Sequence, residues 1–203
     1  MSALVLIDLQ NDFMPGGALA VAEGDRVIPV ANRLQERFET IVATQDWHPP
    51  DHGSFAANHP GRKPGERIEL DGLEQILWPV HCVRQTPGAE LAGPVETARI
   101  ERYFYKGVDP AVDSYSAFFD NAHRRSTGLA EYLRERRVDR LHLLGLATDY
   151  CIKYSALDAV AVGFDVAVVL DGCRGVELEP GDSARALEEL RVAGVSFVES
   201  ASL

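Results

Sequence analysis

Cysteine, positive charge and long apolar runs are all scarce in this chain. It has three cysteines among 203 residues, a low and odd number that argues against a disulfide framework and favours free thiols in a reducing compartment. No apolar run approaches membrane-spanning length, and the run that follows Ser2 is too short and lacks the basic flank of a signal peptide. We therefore expect a cytoplasmic protein with no membrane partner.

The shortage of positive charge bears on the partners of the protein. The chain has 20 Lys and Arg residues against 31 Asp and Glu residues, which gives a formal net charge of −11. Because proteins that bind nucleic acid concentrate basic residues on one face, we expect no nucleic-acid partner. Hydrophobic residues make up 46% of the chain and charged residues 25%, as in globular domains with a full core. Nothing in the sequence decides between a monomer and a homo-oligomer.

Short β-branched and leucine-rich runs alternate with amphipathic segments, the pattern of an α/β protein with a parallel sheet. We expect one domain over residues 1–203, with a six-stranded, mostly parallel sheet and helices on both of its faces. The predicted strands are Leu4–Ile7, Thr40–Thr44, Ile100–Tyr105, Arg140–Leu144, Val166–Leu170 and Ser196–Val198. The predicted helices are Arg26–Phe38, Thr127–Arg137, Thr148–Val162 and Asp182–Val192.

A long excursion, from about residue 46 to residue 99, interrupts this alternation. It is rich in Pro, Gly and His, and Leu73–Leu77 is the one short helix that its pattern suggests. Irregular segments of this length inside a compact domain are usually functional. Because the excursion also carries His48, His52 and His81, we expect it to bind a metal ion.

Polar residues follow the carboxyl ends of four predicted strands, where open parallel sheets bind their ligands. Asp8 follows the first strand, Asp46 and His48 follow the second, Lys106 follows the third and Cys151 follows the fourth. Cys151 also lies near the start of a predicted helix, where unpaired amides and the helix dipole lower the pKa of a thiol.

Asp8, Lys106 and Cys151 are the residue types that a thiol hydrolase needs. A carboxylate can accept the thiol proton and return it to a leaving amine, while an ammonium group stabilises the thiolate and the charge of the intermediate. Each residue also has an ordinary structural explanation. An aspartate can cap a loop, a lysine can extend to solvent along its stem, and a cysteine can be a small buried hydrophobe.

A second cluster indicates a metal site. Asp46-x-His48-x3-His52 places a carboxylate and two imidazoles within seven residues, and His81 follows later in the excursion. These donors suit Zn, Fe or Mn better than the all-oxygen shell of Ca or Mg. We predict one divalent ion and favour Zn, with polar loop histidines that bind no metal as the alternative. Five aromatic residues close in sequence to these polar groups could wall a flat pocket for a planar ring; they are Phe13, Trp47, Trp78, Tyr115 and Phe118.

Seven different motifs follow one another along almost the whole chain. They are Asp8-Leu9-Gln10-Asn11-Asp12-Phe13, Asp46-Trp47-His48, Asp51-His52-Gly53-Ser54-Phe55, Trp78-Pro79-Val80-His81-Cys82-Val83, Lys106-Gly107, Asp113-Ser114-Tyr115-Ser116-Ala117-Phe118 and Gly145-Leu146-Ala147-Thr148-Asp149-Tyr150-Cys151. Together they resemble the nicotinamidase (pyrazinamidase) branch of the isochorismatase-like cysteine hydrolases.

The resemblance implies an amide hydrolase of NAD salvage with Asp8, Lys106 and Cys151 as catalytic residues. Such an enzyme converts nicotinamide to nicotinate and ammonia through a cysteine thioester, and pyrazinamide is expected to be cleaved as well. The backbone N–H groups of Ala147 and Cys151 would form the oxyanion hole, and the peptide bond before Ala147 would be cis.

The resemblance also implies ligand and substrate positions. Asp46, His48 and His81 would hold the metal ion that orients the pyridine ring. His52 is the favoured fourth ligand, and Ser54 is the alternative. The residues that contact the substrate would be Phe13, Trp78, Tyr115 and Ala147.

Four functions are compatible with these residues. The first is a thiol amidase in which the metal orients the substrate. The second is a metallohydrolase in which the ion activates water and Cys151 is structural. The third is a non-enzymatic module in which a metal holds the excursion in place. The fourth is a hydrolase of a different amide, such as a carbamoyl amide, but the enzymes of that class generally lack the metal residues present here.

Overall fold

Eight strands and four α-helices make up the computed structural model, which describes residues 1–203. The strands are β1 (Ser2–Ile7), β2 (Thr40–Asp46), β3 (Arg67–Leu70), β4 (Leu73–Ile76), β5 (Arg102–Lys106), β6 (Arg140–Leu146), β7 (Asp165–Arg174) and β8 (Ser196–Val198). The α-helices are α1 (Val27–Gln35), α2 (Leu129–Glu135), α3 (Lys153–Ala161) and α4 (Asp182–Val192). None of these helices is long and apolar enough to cross a membrane.

Six of the strands form one parallel sheet in the order β5-β2-β1-β6-β7-β8. Every residue of β1 from Ala3 to Ile7 is buried. Since successive side chains of a strand point to opposite faces, both faces of the sheet are covered at its centre. The predicted α/β domain with a six-stranded sheet is therefore confirmed.

The order of the strands places a ligand site at one edge of the sheet. The chain builds outward from β1 through β2 to β5 on one side, and β6, β7 and β8 follow on the other side of β1. Ligands of such sheets bind beyond the carboxyl ends of the strands, where the order reverses. In this chain the reversal lies between β1 and β6, so the segments after Ile7 and Leu146 face each other there.

The six strands of the sheet lie where the sequence predicts them, to within a few residues, and α4 has its predicted bounds. The helix predicted from Thr148 begins instead as a π-helical turn, Thr148–Ile152, which continues into α3. All three cysteines are buried and unpaired, as expected.

The short helix predicted at Leu73–Leu77 is wrong, because these residues belong to a β-hairpin. β3 and β4 pair antiparallel, with Leu70 opposite Leu73. Asp71 and Gly72 connect them with positive φ angles of 49° and 83°, and this left-handed pair suits the tight turn that an Asp-Gly dipeptide favours.

Close packing of β1 against β6 leaves no room for a side chain at Gly145. Its φ is +132°, and a Cβ atom there would overlap the carbonyl oxygen of Ile7. We expect Gly145→Ala to lower the free energy of unfolding by at least about 3 kcal/mol, because the backbones of two central strands must separate. Urea denaturation with a fluorescence readout measures this loss.

Gly163→Ala is the matched control. Gly163 also has a positive φ, +97°, but open space surrounds its Cβ position, so only backbone strain of about 1 kcal/mol is expected. Equal losses in the two variants would contradict the close approach of β1 and β6.

Candidate active site

A buried ammonium group lies at the centre of the site. Lys106 is 2% exposed, and its Nζ lies 2.9 Å from Asp8 Oδ2 and in contact with Asp46 Oδ1. The same Nζ donates to the carbonyl oxygen of Ser114 at 3.1 Å and lies 3.4 Å from Cys151 Sγ. Lys106 therefore contacts both of the other residues predicted to be catalytic, Asp8 and Cys151.

Strand register explains why these side chains meet. Asp46 and Lys106 end β2 and β5, and they are direct neighbours in the register of these strands. Asp8 follows Ile7, which pairs with Thr44 of β2. The carboxyl ends of adjacent parallel strands thus deliver two carboxylates and the ammonium to one edge.

Burial and mutual charge set the protonation of these groups. Burial alone would lower the pKa of Lys106, but Asp46 and Asp8 outweigh it and raise that pKa well above its ordinary value. Burial raises the pKa of Asp8, against the effect of Lys106. Burial also disfavours ionisation of Asp46, but Lys106 and His48 overcome it and lower its pKa. Asp46 is therefore the permanent anion, and Asp8 has the higher affinity for a proton.

Cys151 does not have the lowered pKa that a helix start suggests. It lies near the end of the π-helical turn and is 6% exposed. Burial raises the pKa of the thiol well above its ordinary value, and the opposing effect of Lys106 does not compensate. Asp8 and Asp46 raise this pKa further. The resting group is a protonated thiol, so attack by sulfur requires a base at that moment.

The turn before Cys151 presents a free amide to the cleft. The peptide bond between Leu146 and Ala147 is cis, as the resemblance implies. The backbone N–H of Ala147 has no backbone acceptor, and Ala147 and Cys151 both line the cleft that also contains Asp46, His48 and His81. An unpaired amide beside the thiol is suited to receive an oxyanion.

Asp46, His48 and His81 form a buried group that fits a divalent metal ion. Asp46 Oδ2 lies 3.8 Å from His48 Nε2 and 3.9 Å from His81 Nε2, which leaves space for an ion at the roughly 2.0–2.2 Å typical of such donors. His48 Nδ1 contacts the carbonyl oxygen of Gly107, and His81 Nδ1 contacts that of Pro79, each at 2.8 Å.

The tautomers of these two histidines also suit a metal. Carbonyl oxygens only accept hydrogen bonds, so each Nδ1 carries a proton, and each Nε2, which faces Asp46, is the ring atom left to bind an ion. Burial and His48 lower the pKa of His81 to about 4, so this ring is neutral at neutral pH. Neutral imidazoles and a carboxylate are ligands for Zn, Fe or Mn.

His52 has a different environment from the other two histidines. It groups with His48 and Asp113, and not with Asp46 and His81. The backbone N–H of Ser54 donates to His52 Nδ1, and Ser54 Oγ lies 2.7 Å from the same atom. Nδ1 is therefore an acceptor, and the proton of the neutral ring is on Nε2, which is buried without a partner. Ser54 Oγ is occupied by this contact.

Aromatic and aliphatic side chains close the cleft around the thiol and the metal group. The predicted ring contacts Phe13, Trp78 and Tyr115 all line it. Tyr115 is fixed because its hydroxyl accepts from Trp78 Nε1 and Gln75 Nε2, each at 3.1 Å. The walls that the sequence analysis missed are Leu19, Asp113, Tyr150 and Val176.

Two of these four additional residues belong to motifs that the sequence analysis names. Asp113 precedes Tyr115 by two positions, and Tyr150 is adjacent to Cys151. Val176 is brought to the cleft by Asp149, whose carboxylate accepts from the backbone N–H groups of Val176 and Glu177 at 2.9 and 2.8 Å. The signal for such an anchor is the carboxylate of Asp149, which lies two residues before Cys151.

The sequence profile of the isochorismatase domain matches residues 2–202. The chain belongs to the isochorismatase family. Within this family it is 52% identical to a nicotinamidase of Escherichia coli K12 over 199 residues, which cover 96% of this chain and 93% of that protein.

Two solved structures of family members are similar to this chain over nearly its whole length. A nicotinamidase/pyrazinamidase of Acinetobacter baumanii has a TM-score of 0.96 and 46% identity, with 99% of this chain and 97% of that chain covered. A pyrazinamidase of Pyrococcus horikoshii in complex with zinc has a TM-score of 0.80 and 38% identity, with 98% of both chains covered.

The geometry of the metal group predicts a difference between the histidines of the excursion. His81→Ala removes one donor of the Asp46 group, so we expect metal affinity to fall at least about 100-fold. His59→Ala is the matched control because the His59 side chain hydrogen-bonds only to the Gly53 carbonyl oxygen and belongs to none of the groups that could hold a metal ion, so this variant should bind metal as the unmodified protein does. Competition against chelators of graded affinity, followed by elemental analysis, measures both.

His52→Ala completes the same series. Because the proton of the His52 ring is on Nε2, this nitrogen has no lone pair for the ion. We therefore expect His52→Ala to lose much less metal affinity than His81→Ala. An equal loss would instead place His52 among the direct ligands.

Proposed function

We propose that this isochorismatase-family protein is a nicotinamidase, which hydrolyses nicotinamide to nicotinate and ammonia. The observation that carries the proposal is the buried contact of Lys106 with Asp8, Asp46 and Cys151. It joins a nucleophile and its base to the Asp46, His48 and His81 group within one aromatic cleft. The identity of 52% to a nicotinamidase over nearly the whole chain supports this substrate.

Catalysis begins with transfer of the thiol proton. Asp8 Oδ2 accepts the proton from Cys151 as the sulfur bonds to the carboxamide carbon, and the carbonyl electron pair moves to the oxygen. The backbone N–H groups of Ala147 and Cys151 donate to this oxyanion. Lys106 stabilises the sulfur as it gains negative character, which offsets the burial that otherwise opposes a thiolate.

The tetrahedral intermediate then loses ammonia. Asp8 delivers its proton to the amide nitrogen, the carbon–nitrogen bond breaks, and a thioester remains on Cys151. Asp8 next takes a proton from a water molecule as the water oxygen attacks the thioester carbon. Collapse of that second intermediate returns the proton to sulfur and releases nicotinate.

Asp46, His48 and His81 would hold a divalent ion, and the bound ion would act as a Lewis acid towards the ring nitrogen of the substrate. Zn is the ion we favour, because a pyrazinamidase of the same family is known in complex with zinc, and Fe and Mn suit the same donors. Phe13, Trp78 and Tyr115 hold the faces and edges of the ring. His52 and Ser54 remain candidates for a fourth ligand, although the proton on His52 Nε2 favours the set of three.

The substrate range and cellular role follow from the same cleft. Pyrazinamide keeps the planar ring, the ring nitrogen and the carboxamide, so it is a second substrate. Production of nicotinate is a step of NAD salvage, and the three free cysteines support a cytoplasmic location. The net charge of −11 supports neither a nucleic-acid nor a membrane partner.

Removal of the nucleophile tests the proposal. We expect Cys151→Ala to abolish release of ammonia from nicotinamide and from pyrazinamide, at least about 1000-fold below the unmodified enzyme, because no other thiol contacts Asp8 or Lys106. A coupled assay for ammonia, run with and without a chelator, measures the rate.

Cys173→Ala is the matched control, since Cys173 is buried but lines no part of the cleft. It should retain turnover. Activity retained by Cys151→Ala would refute the proposed mechanism, and an unmodified enzyme without activity on nicotinamide would refute the substrate.

A further inference from the structure

The two oxygens of the Asp8 carboxylate have different surroundings. Oδ1 accepts a hydrogen bond of 2.7 Å from the hydroxyl of Thr44. Oδ2 lies 2.9 Å from Lys106 Nζ but has no aligned hydrogen bond, because the ammonium directs its hydrogen bonds to Asp46, Ser114 and Cys151. A buried carboxylate oxygen without a hydrogen bond retains a free lone pair.

Thr44 also holds the backbone of Asp8. The backbone N–H of Asp8 donates to the carbonyl oxygen of Thr44 at 3.3 Å, and the register pairs Thr44 with the preceding residue, Ile7. Asp8 has a φ of +54°, a left-handed conformation that turns the chain as β1 ends. One residue of β2 thus contacts both the main chain and the side chain of Asp8.

We propose that Thr44 is a positioning residue that makes Oδ2 of Asp8 the proton acceptor of the reaction, an inference that rests on the proposed function. The hydroxyl occupies Oδ1 and so fixes the rotation of the carboxylate. Oδ2 is then directed towards the ammonium and the thiol. Without this bond a buried Oδ1 has no partner, and the carboxylate gains by turning Oδ1 towards Lys106.

The position of Thr44 separates this role from substrate binding. Thr44 is fully buried and does not line the cleft. Its hydroxyl therefore acts on proton transfer and leaves the binding of the ring unchanged. A change in kcat with an unchanged KM is the signature of such a residue.

Two complementary variants of Thr44 test the proposal. Thr44→Val keeps the shape of the side chain and removes the hydroxyl, and Thr44→Ser keeps the hydroxyl and removes a methyl group. We expect Thr44→Val to lower kcat for nicotinamide by about 10- to 100-fold, the range for loss of a hydrogen bond to a charged group. KM should stay within about threefold, and Thr44→Ser should stay within about threefold of the unmodified kcat.

A second readout does not depend on the substrate. Iodoacetamide alkylates Cys151 only when the thiol loses its proton, so Thr44→Val should slow this reaction and Thr44→Ser should not. Mass spectrometry of the peptide that contains Cys151 gives the rate. This comparison still tests Thr44 if the unmodified protein proves inactive on nicotinamide, a result that refutes the proposed function alone.

Two results would overturn the proposal. One is Thr44→Val with the kcat and alkylation rate of the unmodified protein. The other is Thr44→Ser with a loss as large as that of Thr44→Val, since a general packing role would produce that result. If Thr44→Val fails to fold, Thr44→Ala replaces it. Its kcat and its rate of Cys151 alkylation should then fall below those of Thr44→Ser by the factors expected for Thr44→Val.

Discussion

The ion pairs of Lys106 are the interaction on which the rest of the site depends. Its ammonium is fully buried and lies between the carboxylates of Asp8 and Asp46. Removal of one member of such a group leaves an uncompensated buried charge, at a cost of about 3–5 kcal/mol. The charges of Lys106, Asp8 and Asp46 therefore stay paired and shielded from water only while the neighbouring strands β1, β2 and β5 keep their register.

Asp46 lies between Lys106, which contacts Cys151, and the two histidines of the proposed metal site. Its Oδ1 contacts Lys106, and its Oδ2 faces the Nε2 atoms of His48 and His81. One carboxylate thus belongs to both halves of the site. Its charge stabilises the ammonium. In the proposed mechanism it is also the anionic ligand of the metal ion, while Asp8, whose pKa burial raises, exchanges the proton. Two carboxylates beside one lysine acquire different roles through their surroundings alone.

Sequence reasoning succeeds for this site where a local rule determines position. Polar residues at the carboxyl ends of parallel strands meet at one edge of the sheet, so the sequence alone predicts that Asp8, Asp46 and Lys106 lie close together. Prediction fails where contacts between distant segments of the chain determine the position or the pKa of a residue. Burial raises the pKa of Cys151, and His52 lies with His48 and Asp113 and not with Asp46. The Asp71-Gly72 turn makes Leu73–Ile76 a strand, although the apolar pattern of this segment suggests a helix.

An aldehyde analogue of the substrate shows whether the Cys151 sulfur attacks the carbonyl carbon. Pyridine-3-carbaldehyde labelled with ¹³C at the aldehyde carbon can be followed by NMR on the metal-loaded enzyme. We expect a tetrahedral carbon bonded to sulfur, with a signal that is absent from Cys151→Ala. A bound aldehyde or its hydrate, with the same spectrum in both proteins, would refute attack by sulfur and indicate attack by a metal-activated water.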